Sequence, residues 1–547
     1  MRFLPLLLLA ALLPASAANA GTAAPSKLNI LLLTVDSFRP DRLGCYGSRE
    51  AHTPNIDRLA SRGALFTRAF STAAWTNASL VSLLTGLYPG AHGVERRGES
   101  FPEGAVAPLE LLSKSGCLVP EINYLFPMPN YRNLGFTPNA IRDLPQFLRS
   151  CRDSTFFAWY HFHGPHLPYS PPEKYRKMYL PRGEKESPNI RQVLENVILP
   201  RGEEGFSESE KAVIRKLYAA EVAAQDEEIG RVLEVLDSLG LDRRTVVILS
   251  ADHGEELFDH GWLGHASTSL NGTLFDELIR IPLIIRLPDM PRRGIRVNEL
   301  VQSVDLLPTL FELLGLPLDC PDQGHSFLGL LKGTGGVQAP RDRVFCETSV
   351  CGYQCPDTLE VTWLRAVRTE SLKLVETLAP HEAPRFALYD LDKDPGEQLD
   401  VSALFPDTLA RLQGILAQQV FRNQRQREAL LASSGATQGG ESFPTDMRQV
   451  AVQAPAEGET ITYAAQGGKV LVSWSGPQNG EYLLEYTVGL GKYHLEGSFP
   501  VRGNSQTFGP FNPVFWMSFP HYNPWRFRVV PKGRPELASA WRTFTFN

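Results

Sequence analysis

Three stretches of the sequence end in residues able to grip a metal or an anion. The apolar run from Leu28 to Val35 stops at Asp36, and the run Thr245 to Ser250 leads into Asp252-His253. A third, Thr155 to Phe162, continues into Tyr160-His161-Phe162-His163-Gly164-Pro165-His166. Any one alone is a weak signal, since strand ends are commonly polar. Acids gathered in one cluster are costly unless a cation joins them. One divalent metal ion supplies that reason. A mixed oxygen and nitrogen set suits manganese or zinc, whereas calcium is satisfied mainly by oxygens.

A second element supplies a hydroxyl. Leu80, Leu83, Leu84 and Leu87 have helical spacing, which puts Thr76 at or just before a helix N-terminus. Threonine there is commonly no more than an N-cap. The same place puts its hydroxyl where free N–H groups and the helix dipole favour an anion. A metal beside it would lower its pKa and make it a nucleophile. Ser79, the alternative, lies about one helical turn further in.

Strands must carry these residues. From Leu28 to about Gly315, short aliphatic runs alternate with helical patterns, the signature of parallel strands joined by helices. Ligands of such sheets bind beyond the carboxyl ends of the strands. The expected fold is therefore α/β, a mixed but mainly parallel sheet flanked by helices. Residues 28–337 form this unit and 338–431 a smaller subdomain with strands at Arg343 to Glu347 and Trp363 to Arg368 and a helix from Pro406. A Ser-, Gly- and Thr-rich linker spans 432–446. Residues 447–547 alternate strands with turns and read as a β-sandwich. In that module Trp474, Trp516 and Trp525 are candidate carbohydrate contacts, though core tryptophans are commoner.

Residues 1–20 read as a signal peptide: Arg2, the apolar Leu4 to Leu13, and Ala18-Asn19-Ala20 before Gly21. Export to the periplasm or medium is expected, with no stable membrane anchor. A net charge of -6 over 547 residues gives no reason to expect nucleic acid as a partner. Seven cysteines suit an oxidising compartment, and the cluster Cys346, Cys351, Cys355 favours a local disulfide over a metal site.

The segments VDSFRPDRLGCYG, TPNIDRLASRGALF and WTNASLVSLLTGLYPGAHGV, followed by GPHLPY, SADHGEELFDHG, GHAS, IPLII, VDLLPTLFELLG and LYDLDKDPGEQ, resemble the sulfatase family of the alkaline phosphatase superfamily in order and spacing. The resemblance covers about Leu28 to Val401. It implies the sulfatase fold, with Asp36, Asp252 and His253 as metal ligands, Thr76 as nucleophile and a further ligand, and manganese, zinc or calcium as the metal. It also implies that His92, His166 and His265 contact the transferred anion or protonate the leaving group. At His265 the family more often has lysine. His161, His163 and His260 have no such match and read as structural.

Three departures bear on mechanism. The family pattern Cys-x-Pro-Ser-Arg is here Thr76-Asn77-Ala78-Ser79-Leu80, so formylglycine cannot form at the nucleophile position. The arginine that helps hold its hydrate is Leu80, and the second aspartate of the usual pair is Ser37. A threonine ester must be cleaved by water, which suits two-step displacement at phosphorus. A phosphate or phosphonate ester, small or glycan-borne, is therefore favoured over sulfate. The alternatives are a sulfuric ester hydrolase working without formylglycine, a non-catalytic binding protein and, last, a transferase of phospho-alcohol groups.

Overall fold

The apolar run ending at Asp36 forms strand β1 (Asn29–Val35), every residue of it buried, as a strand covered on both faces should be. The computed structural model describes residues 28–433 except 184–186, 200–204, 270–271, 291–292, 334–340 and 355–360. Beyond 450 it describes 451–457, 459–461, 470–475, 481–488, 495–502, 504–508, 524–531 and 538–546. Residues 1–20, read above as a signal peptide, most of the segment read as a linker, Cys355 and Trp516 lie outside the described residues.

The central sheet contains β1, β2 (Ala64–Phe70), β3 (Phe157–Phe162) and β4 (Thr245–Ala251). A hairpin of β5 (Glu256–Leu257) and β6 (Leu263–Gly264) stands apart, and β7 (Arg280–Arg286), β8 (Ile295–Val297) and β9 (Val301–Gln302) complete the sheet. Its order is β3-β1-β4-β7-β2-β8, with β9 also on β2. β1 runs parallel to both β3 and β4. The strand expected at Ile281 to Arg286 forms, but β7 runs antiparallel to β4 and β2. A run buried on both faces carries no sign of its direction. The sheet is α/β and mixed, flanked by helices.

Two helices position the centre. Helix α2 (Thr76–Thr85), which follows α1 (Pro54–Arg62), is buried from Asn77 to Thr85, leaving Thr76 as its one accessible side chain. The helix Glu208–Ser238 begins with a capping box of Ser207 and Glu210. From it the Tyr218 hydroxyl donates to Ser37 O at 2.6 Å and accepts from Arg39 N–H at 3.1 Å, pinning the loop after β1.

The smaller subdomain is an antiparallel meander of β10 (Arg343–Ser349), β11 (Trp363–Thr369), β12 (Leu372–Leu378) and β13 (Arg385–Asp390). Leu412 and Leu416 of the helix Pro406–Ser433 pack with Val367, Leu374 and Leu388 of these strands. Cys351 is disulfide-bonded and Cys346 is free. Beyond residue 450 the described strands form a three-stranded and a five-stranded sheet. Trp474 of one meets Tyr482 of the other edge-on, centroids 5.5 Å apart, both fully buried. Trp474 is thus a core residue rather than a sugar platform. Trp525 tilts against Phe544.

Candidate active site

Strand register decides which side chains meet. Thr34 of β1 lies beside His161 of β3 and Ser250 of β4. Alternate residues of a strand share a face, so Asp36 and Asp252, each two residues further on, leave the sheet on the face His161 occupies. The loop after β3 crosses the end of β1 at Gly164, where φ is +59° and a Cβ would lie 2.5 Å from Asp36 O. That crossing delivers His166 to the same end of the sheet.

Asp36, Asp252 and His253 come together as expected, all buried, with ligand-capable atoms within 4.8 Å of one another. His253 Nε2 lies 3.3 Å from Asp252 Oδ2 and 3.7 Å from Asp36 Oδ1. Its Nδ1 is 2.8 Å from Gly254 O, which holds the proton there and leaves the Nε2 lone pair facing the carboxylates. Asp252 Oδ1 accepts from the N–H of His253 (2.7 Å) and of Ser37 (3.2 Å). Its other oxygen, Oδ2, is buried without a hydrogen bond. Ser37 adopts φ 56°, and its hydroxyl donates to Asp36 Oδ1 at 2.9 Å.

Thr76 is the first residue of α2, whose N-cap is Trp75, and its Oγ1 lies 3.3 Å from His253 Nε2. The capping explanation therefore does not account for its orientation. Ser79 is committed elsewhere, its hydroxyl donating to Asp252 O at 2.5 Å. Asn77 is tied to Tyr131 and Asn130. Leu80 is wholly buried in the core.

The electrostatics match a centre built for a cation. Burial pushes the Asp36 carboxyl up, but the imidazoles of His166, His161 and His253 outweigh it and hold it well below the usual range. Burial and then the charge of Asp36 push Asp252 well above it. Both carboxylates can be ionised together only with added positive charge. Burial lowers His253 and keeps it neutral, as a ligand must be. The orphaned Asp252 oxygen and the mixed donor set fit a divalent metal.

His265 stands beside this group, its ring 4.4 Å from that of His253 and 5.0 Å from that of His166. Its Nδ1 is 2.9 Å from Glu255 Oε1, while its Nε2 is buried without a hydrogen bond. Burial, then His253 and His166, hold this imidazole well below its ordinary pKa. Glu255 completes a buried carboxylate–imidazole pair that sequence reasoning missed, because one more acid in Asp252-His253-Gly254-Glu255-Glu256 carries no mark of its partner. His166 is half-buried, with Nδ1 2.5 Å from Leu167 O.

His92 does not join them. It is fully buried, Nδ1 accepting from Val94 N–H at 3.0 Å and Nε2 lying 3.0 Å from Ser82 Oγ of α2. Both ring nitrogens are committed, so His92 braces the helix and the expectation that it meets the transferred anion is corrected. His260 stacks on Phe275, centroids 3.4 Å apart, and His163 lies 5.3 Å from His166. His161 turns inward: Nε2 is 3.5 Å from Asp36 Oδ2 and 3.9 Å from Asp252 Oδ2.

Known proteins resemble this chain in sequence and fold. The sulfatase family model matches residues 28–111 and 130–316, and the model of the N-sulphoglucosamine sulphohydrolase C-terminal region matches 260–426. The ulvan-active sulfatase of Formosa agariphila is 27% identical over 418 residues, 68% of this chain and 77% of that one. Arylsulfatase A of Homo sapiens is 28% identical over 491 residues, covering 72% and 88%. The solved phosphonate monoester hydrolase of Agrobacterium radiobacter superposes with a TM-score of 0.58 at 25% identity, covering 73% of this chain and 96% of its own. The chain belongs to the sulfatase family and is a hydrolase of sulfuric or phosphoric esters.

Proposed function

We propose that this enzyme is an exported, cation-dependent phosphoesterase that attacks a phosphate or phosphonate ester with the Thr76 hydroxyl. One observation carries the reading: the only accessible side chain of α2 is a hydroxyl 3.3 Å from His253 Nε2. Asp36, Asp252, His253 and Thr76 would hold the metal. Bound there, a divalent cation neutralises the carboxylates, polarises the non-bridging oxygens and eases ionisation of the hydroxyl.

The chain's own residues do the rest. Thr76 Oγ forms a bond to phosphorus while the ester oxygen departs in line with the bonding pair. The α2 N-terminus and His166 face the charge on the remaining oxygens. His265 moves the protons, with Glu255 holding its Nδ1–H and leaving Nε2 to exchange. It takes the Thr76 proton and gives it to the leaving oxygen. In the second half-reaction water attacks the phosphothreonine, and the threonine oxygen leaves and regains a proton.

A sulfuric ester substrate, on a glycan, is the second reading. It is favoured by the relatives named as sulfatases and by the C-terminal match to a sulphohydrolase model. Assays of nitrophenyl phosphate, phosphodiester, phosphonate and sulfate with manganese, zinc or calcium separate the two. The proposal expects turnover of phosphorus esters, a phosphothreonine at Thr76 trapped by acid quench and mass spectrometry, and loss of about 10²-fold or more in Thr76→Ala. Sulfate turnover alone, or full activity in Thr76→Ala, overturns it.

A further inference from the structure

His161 reads from sequence as a core histidine, yet its geometry is not that of a satisfied one. The side chain is fully buried, and its Nε2 has no hydrogen-bond partner. It faces Asp36 Oδ2 at 3.5 Å and Asp252 Oδ2 at 3.9 Å, too far for a good hydrogen bond to either. Asp252 Oδ2 is itself buried and unpartnered. Two orphaned atoms thus face one another across a gap that neither closes, and a buried polar group left unpaired is expensive.

The other ring nitrogen is anchored. His161 Nδ1 lies 2.8 Å from Thr34 Oγ1, and that oxygen accepts from Trp159 Nε1–H at 2.9 Å. In the tautomer whose Nδ1 proton is donated to Thr34, the Nε2 lone pair is directed between the two carboxylates. Metal-binding histidines are commonly oriented this way by their second nitrogen. Each imidazole thus lies 3.3 to 3.9 Å from an oxygen of each carboxylate, with Asp36 facing His253 through Oδ1 and His161 through Oδ2. Donors at about 2.0–2.2 Å from one ion stand roughly 3.3–3.6 Å apart in a tetrahedron.

We infer that His161 is a further protein ligand of the cation centre, an inference that rests on the cation-dependent reading above, and that its imidazole fixes the class of metal. With His161 and His253 both contributing nitrogen beside two carboxylates, the centre is selective for a borderline ion such as Zn²⁺ or Mn²⁺. Calcium, which takes oxygen ligands almost exclusively, is poorly served by it.

The test uses the mature chain stripped with chelator and reloaded with Zn²⁺, Mn²⁺ or Ca²⁺. X-ray absorption on the zinc form should count two imidazoles, and one in His161→Ala. Competition with a chromophoric chelator should show His161→Ala binding Zn²⁺ at least about 100-fold more weakly, beyond what loss of a merely ligand-orienting group costs. His161→Gln, of similar reach with an oxygen donor, should keep the fold and lose much of the preference for Zn²⁺ over Ca²⁺. Should His161→Ala fail to fold, the imidazole count on the wild type and the His161→Gln preference decide alone. Tight zinc binding with one imidazole, or with affinity unchanged in His161→Ala, overturns the ligand assignment and leaves the cation-dependent function standing. No stoichiometric cation in the wild type overturns both.

Discussion

Two buried acid clusters in this molecule have nearly the same composition and opposite completeness. Asp276 and Glu397 are met by Lys373, whose Nζ lies 3.1 Å from Asp276 Oδ1 and 2.7 Å from Glu397 Oε1. Arg368 adds a contact of 3.0 Å to Asp276. Two negative charges face two positive ones, and together they tie the short helix before β7 (Asp276–Ile279) and the turn after β13 to β11 and β12. Asp36 and Asp252 are also two carboxylates, but imidazoles are what they face, His253 Nε2 at 3.3 Å from Asp252 and His161 Nε2 at 3.5 Å from Asp36. A structural cluster closes on itself, whereas a functional one leaves a charge deficit for something outside the chain. Burial pushes Asp276 up, yet Lys373 and Arg368 bring it down to about 2, while Asp252 is pushed well above its ordinary value by burial and by Asp36.

The contrast breaks first at the open cluster. Asp252→Asn should lower activity by at least about 10³-fold. In chelator the same change should leave the melting temperature equal or higher, because a like charge has been removed. A substantial fall in the metal-free melt would mean that Asp252 is held by the protein alone. Lys373→Ala should do the converse. Removing one partner of a buried ion pair costs about 3–5 kcal/mol, read by urea unfolding, with turnover per folded molecule largely kept.

The pH dependence of the closed cluster sharpens the comparison. The pKa of Asp276 is lowered on folding from 3.8 to about 2, so its contribution is present above the unfolded value and is lost as pH falls through the folded one. Lys373 is raised from 10.5, with burial opposed by Glu397 and Asp276, so its contribution is full below that value and is lost as pH rises through the folded one. The difference in unfolding free energy between wild type and Asp276→Asn should be flat from about pH 5 to 9 and shrink as pH drops below about 4. A steady slope through neutrality would contradict the assignment. The smallest effect belongs to Ser79→Ala, which removes one bond to Asp252 O. It should cost about 1 kcal/mol and leave activity within a few-fold. A loss as large as that of Thr76→Ala would move the nucleophile to Ser79.

The sequence carried the open cluster only in part. Asp36, Asp252 and His253 were visible because apolar runs ended at them, and Thr76 because leucine spacing set a helix start. His161 was not, since a lone imidazole within a buried strand resembles a core residue until register sets it beside Thr34. The antiparallel direction of β7 was hidden for a related reason: its apolar run is symmetric with respect to chain sense. His92 was placed by family likeness, and only packing shows its nitrogens committed to Ser82 and Val94. The closed cluster was illegible as well, because Asp276, Lys373 and Glu397 lie apart in sequence and nothing in their neighbours marks them as partners.

The most direct test is the stoichiometry of divalent cation per chain after chelation and reloading, in the wild type and in Asp36→Ala and Asp252→Ala. One ion bound to the wild type and none to either variant is the predicted result. A wild type that binds no ion, or variants that bind it as tightly, would contradict the account at its centre.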